Sequence, residues 1–112
     1  MDIQFKSTKL KKDCGEFKRC VRRWGLPMAK LIRLRLDELR DSDNLAIMAT
    51  LPQARLHELK ENRKGQLAVK LKGPYRLIFI PINEPIPKNP DGGLDLQRIT
   101  AIKILEVTDY HG

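Results

Sequence analysis

Arg55-Leu-His-Glu-Leu-Lys60-Glu-Asn-Arg-Lys-Gly65-Gln-Leu-Ala-Val-Lys70-Leu-Lys-Gly-Pro-Tyr75-Arg-Leu-Ile-Phe-Ile80 is the stretch whose reading decides the fold. Its apolar residues fall into three groups: Leu56 with Leu59, then Leu67, Val69 and Leu71, then Leu77 to Ile80. Groups of this length and spacing read as strands, with Gly65 and Gly73-Pro74 supplying the turns between them. Connections so short predict an antiparallel meander.

Upstream, Ile3 and Phe5 alternate with polar residues as in a short first strand. It lies too far from the others for a hairpin, so it is expected to pair with a strand of the meander. From Ser7 to Arg23 the pattern is helical, with Ser7 as its cap and Gly15 as a weakness in its middle. Gly25 suits the end of that helix and Pro27 the start of a second. Met28, Leu31, Ile32, Leu36 and Leu39 carry the second helix to about Arg40 as a core stripe without chemistry. Residues 81 to 97 hold four prolines and two glycines, a long loop that is either functional or padding. A last strand follows from Ile99 to Val107. The order β-α-α-β-β-β-β predicts one α+β domain over residues 1–112, two N-terminal helices on one face of a small antiparallel sheet.

The formal charge is +8 and the pI about 9.8, which suits a polyanionic partner, although composition alone leaves a merely soluble basic surface an equal reading. Charge concentrates in two places. Residues 6–40 hold twelve Lys and Arg against four Asp and Glu, and residues 55–76 hold seven against two. Cys14 and Cys20, six apart in one helix, are expected on different faces as reduced thiols. They form no CxxC or Cys/His ligand set, so neither a metal nor another cofactor is expected. No apolar run approaches the roughly 20 residues of a membrane span, and the start lacks a secretory apolar core. A cytoplasmic location without membrane contact is the expectation.

Two histidines stand in basic, polar contexts, His57 beside Glu58 and Lys60, and His111 after Asp109-Tyr110. RNA carries its own nucleophile, the 2′-hydroxyl. An enzyme must take that proton, stabilise the pentacoordinate phosphate and protonate the departing 5′-oxygen. Histidine titrates near neutral pH and suits both transfers, while Arg and Lys hold the growing phosphate charge. The pattern points to a metal-independent ribonuclease. Taken singly, His57 reads as a surface histidine and His111 as a tail residue. Arg76 interrupts an apolar strand, a costly place for a charge without a phosphate or carboxylate beside it. Asp109 could orient an imidazole, and Tyr110 could stack on a base.

Four fragments carry a resemblance: Leu56-His57-Glu58-Leu59-Lys60, Arg63-Lys64-Gly65-Gln66, Gly73-Pro74-Tyr75-Arg76-Leu77-Ile78-Phe79 and Asp109-Tyr110-His111. In this order they resemble the RelE/ParE toxin superfamily, and within it the HigB branch of killer proteins. The resemblance implies a type II toxin that cuts mRNA on the ribosome and is neutralised by a cognate antitoxin, of HigA helix-turn-helix type. Operator DNA would be bound only through the complex with that antitoxin. It carries active roles onto His57, Lys60, Arg76, Asp109, Tyr110 and His111, and makes the two histidines an acid–base pair with the order of roles open. Lys60, Arg63, Lys64, Lys70 and Lys72 are the expected RNA contacts. The long loop at 81–97 departs from the shorter family members. Two other functions fit the same fold, a ParE-like gyrase poison and a catalytically silent nucleic-acid-binding module; the histidine pair argues against both.

Overall fold

The computed structural model describes residues 1–110. Strand β1 (Asp2–Phe5) opens the chain, and the Ser7 hydroxyl caps the next helix by accepting the Leu10 N–H at 3.1 Å. The helix expected to run unbroken to Arg23 is two helices, α1 (Thr8–Gly15) and α2 (Phe17–Trp24). Glu16 separates them in an extended conformation, one residue after the poorest helix former of the stretch. Electrostatics reward the corner: Arg19 and Arg23 fold back onto buried Asp13, each at 2.8 Å, and Lys9 joins them at 2.6 Å. The break also turns Cys14 and Cys20 into the same core, where one continuous helix would have held them on different faces. Burial pushes both thiols up, that of Cys14 to about 12, and neither is in a disulfide.

Helix α3 (Leu26–Asp41) follows Gly25, whose φ of +87° is one that a side chain would strain, with Pro27 in its first turn. A further short helix, α4 (Leu45–Met48), is capped by the Asn44 side chain on the Ile47 N–H. Four residues carry too little periodicity to announce it. The order is therefore β-α-α-α-α-β-β-β-β, two helices more than expected.

Four strands complete the sheet: β2 (His57–Glu58), β3 (Leu67–Lys70), β4 (Tyr75–Pro81) and β5 (Ala101–Asp109), in the order β1-β5-β4-β3-β2. The β2-β3-β4 meander is antiparallel, as the quoted stretch requires, and β5 adds antiparallel to β4. β1 differs from expectation. It pairs with β5 rather than with the meander, and in parallel, Asp2 opposite Ala101 and Phe5 opposite Ile104. With no hairpin to constrain it, β1 takes the edge of β5 that the meander leaves unpaired, and the sheet is mixed.

The helices cover one face only. Met28, Ile32, Leu36 and Leu39 of α3 pack there on Leu67, Val69, Leu77, Phe79, Ile102 and Ile104. The opposite face carries a smaller cluster, Leu59, Ala68 and Ile78, with Leu105 and Tyr110 packed on it. A β-bulge decides which residues of β5 look that way. Ile78 pairs with Glu106 but Phe79 with Ile104, so Leu105 is the extra residue and every later side chain changes face. Among the described residues no helix is long and apolar enough to cross a membrane.

Candidate functional site on the open sheet face

Side chains directly opposite one another across a sheet share a face and lie about 5 Å apart at Cβ. The register therefore sets out the open face in rows. One row runs His57, Ala68, Ile78, Glu106; the next runs Lys70, Arg76, Thr108. His57 and Arg76 are two strands and one row apart, about 12 Å between Cα atoms at about 4.8 Å per strand and 3.3 Å per residue, a gap too wide for a direct bond but wide enough for a substrate group.

His57 is oriented by the chain just before it. Arg55 adopts φ +47°, rare for a residue with a side chain, and Ala54 accepts the Lys70 N–H at 2.7 Å. The Arg55 carbonyl then lies 3.0 Å from His57 Nδ1. A carbonyl can only accept, so this hydrogen bond requires Nδ1 to carry the proton. In the neutral ring that leaves Nε2 with its lone pair, the form of a general base.

Lys70 and Arg76 converge on one atom. Arg76 Nη1 donates to the carbonyls of Gly73 and Tyr75, both at 2.8 Å, and Lys70 Nζ to that of Gly73 at 3.4 Å. Two cations gathered at the β3–β4 turn, half-buried, make a site of positive potential suited to a phosphate. Arg63, on the 3₁₀ turn Glu61–Arg63, reaches across the same face. Its Nη1 donates to Gln66 Oε1 at 3.0 Å and Glu106 Oε2 at 3.1 Å, and its guanidinium lies 5.8 Å from the Tyr110 ring. The Tyr110 N–H donates to the Pro74 carbonyl at 3.0 Å, which ties Tyr110 to the same turn.

The other expected residues lie apart from this group. Asp109 is opposite Tyr75, with the parity of Leu77 and Val107, on the other face of the sheet. Lys60 and Lys64 line a cleft beyond the 3₁₀ turn, and Lys72 is exposed in the β3–β4 turn. His111 lies outside the described residues, so the expected orientation of its imidazole by Asp109 does too. Among the described residues no group of three or more His, Cys, Asp or Glu is placed to hold a metal ion.

Two residues that carry the site were given no role from sequence. Glu106 reaches the open face only because of the bulge, which no local pattern announces. Arg35 is buried at 4 % exposure and donates to the carbonyls of Lys70 (2.7 Å) and Gln53 (2.8 Å) and to Glu38 Oε1 (2.9 Å). It joins α3 to the Lys70 strand and to the segment leading into His57. Its signal was present: Arg35 occupies the apolar stripe between Ile32 and Leu36.

No known family's sequence profile matches the chain, and no curated protein matches it in sequence. Among solved structures it is similar to a chain of the YoeB–YefM complex from Staphylococcus aureus, with a TM-score of 0.56 at 19% identity. The match covers 100% of this chain and 98% of that one. At that identity the likeness is one of architecture. The shared architecture is the set of helices packed on one side of a five-stranded mixed sheet.

Proposed function

We propose that this chain is the toxin of a type II toxin–antitoxin system, an endoribonuclease that cuts mRNA on the ribosome in the cytoplasm. The observation that supports this most is the uncovered sheet face, where His57 stands across a nucleotide-sized gap from the Lys70–Arg76 cation pair. His57 Nε2 would take the 2′-hydroxyl proton or return one to the 5′-oxygen. The 2′-oxygen attacks the adjacent phosphorus while Arg76 and Lys70 hold the charge that grows on the phosphate oxygens. The P–O5′ bond breaks, leaving a 2′,3′-cyclic phosphate and a 5′-hydroxyl. The second proton carrier is His111, on the family resemblance alone. A HigA-type antitoxin with a helix-turn-helix is the proposed partner, and it would bring the pair to operator DNA.

The test maps mRNA 5′ ends after induction of the chain in bacteria. Fragments with 5′-hydroxyl ends are expected, reduced by roughly 10²–10⁴-fold in soluble His57→Gln, the loss typical of a missing general acid or base. Arg76→Ala should also lower cleavage. Growth arrest without such fragments, accompanied by DNA breaks, would replace this reading with gyrase poisoning.

A further inference from the structure

We propose that a second site, the cleft between the 3₁₀ turn Glu61–Arg63 and the tip of the long loop, binds the RNA nucleotide next to the one cut on the open face. This rests on the ribonuclease reading for its substrate, but on different residues. The cleft measures about 700 Å³, within the range of pockets that enclose a small ligand. Three cations, Lys60, Lys64 and Lys88, stand around it against two carboxylates, Glu58 and Glu61, and Leu59 and Leu94 supply apolar surface.

Its loop wall is built before any ligand arrives. Lys88 and Leu94 pair as an antiparallel bridge, and the Asn89 N–H donates to Gly93 at 2.7 Å. The Gly92 N–H donates to Asn89 at 2.9 Å, and the Asp91 carboxylate accepts the Gly93 N–H at 2.9 Å. Gly92 sits at φ +92°, which a side chain would strain, and a Cβ on Gly93 would stand 3.2 Å from the Asp91 carboxylate and press it aside by a few tenths of an ångström. The facing wall is closed by the Lys64 N–H on Glu61 and the Gln66 N–H on Arg63, at 3.1 and 3.0 Å.

The chemistry of the walls matches one nucleotide unit. Ammonium groups suit a phosphodiester, and the leucines suit the face of a base. Position selects a strand rather than a free small molecule. The turn that forms one wall also carries Arg63, whose guanidinium lies on the open face against Glu106 and Tyr110. A three-residue 3₁₀ turn is only about 6 Å long. A strand lying over the open face would enter the cleft after crossing that single turn.

Binding of a fluorescent RNA hexamer with 2′-O-methyl riboses, which block the attack, tests this by anisotropy across a salt series. Lys88→Ala should weaken binding several-fold and lower the slope of log K against log salt by about 0.7, the loss of one single-strand phosphate contact. Lys88→Glu should weaken it further. Lys6→Ala removes the same charge elsewhere and should match the wild type. Unchanged affinity and slope in Lys88→Ala, equal losses in Lys6→Ala, or no hexamer binding by the wild type at low salt would each overturn the proposal. Cleavage of translated mRNA, measured in parallel, separates the two readings. In-frame fragments with an unresponsive Lys88 remove the cleft alone. A responsive Lys88 without fragments from the wild type removes the nuclease and leaves the cleft.

Discussion

Asp13 is the residue on which the helical corner turns. Lys9, Arg19 and Arg23 donate to its carboxylate and hold its pKa well below the usual carboxylate range, outweighing the burial that opposes them. A depressed carboxylate stabilises the folded state above its unfolded pKa of about 3.9, and loses that contribution as pH falls toward the folded value. Asp13→Asn should therefore lower the urea midpoint at pH 7. The gap between variant and wild type should close as the pH drops below about 4. A gap that is constant across the acid range would assign the loss to packing rather than to charge.

At the scale of elements, Arg35 holds together what the strands alone do not. β2 is two residues long and shares only two register pairs with β3, too little to fix His57 by itself. The guanidinium supplies the rest by binding Gln53 on the approach to β2 and Lys70 at the end of β3. Arg35→Met should cost about 2–4 kcal/mol, because two carbonyls and Glu38 lose a buried donor. Hydrogen exchange checks the mechanism. The Lys70 N–H bonded to Ala54 should exchange faster in folded Arg35→Met, while Ile32 and Leu36 within α3 should keep their protection. Uniform loss across α3 and the sheet would make Arg35 a general stabiliser without a local role.

At the scale of the molecule, the two basic concentrations lie on different sides. Part of the helical charge is matched internally, at Asp13 and Glu38. Lys11, Lys12, Lys18, Arg22 and Lys30 remain exposed on the helical side, away from the open sheet face. Such a surface suits docking on ribosomal RNA in a salt-sensitive way. A ribosome would then present mRNA to the open face already extended, which lowers the entropic cost of reaching attack geometry. Cleavage should follow the reading frame, and removing the start codon should protect the transcript. Equal cleavage of free and translated mRNA would end the ribosome dependence and leave the nuclease standing.

Local pattern was enough for the α+β class, the β2-β3-β4 meander, the Ser7 cap and the Gly25–Pro27 junction, because each depends on residues a few positions apart. It marked Arg76 as a charge in an apolar strand, while His57 drew its role from the resemblance; the register places both on one uncovered face and Asp109 on the other. Tertiary structure alone decided what depends on distant partners. The break at Glu16 is settled by how Asp13 meets Arg19 and Arg23 once the chain turns, and the parallel seat of β1 by which sheet edge was left open. The faces of Glu106 and Asp109 follow from a single extra residue, Leu105. A bulge is a mismatch between two strands, so no reading of one strand can contain it.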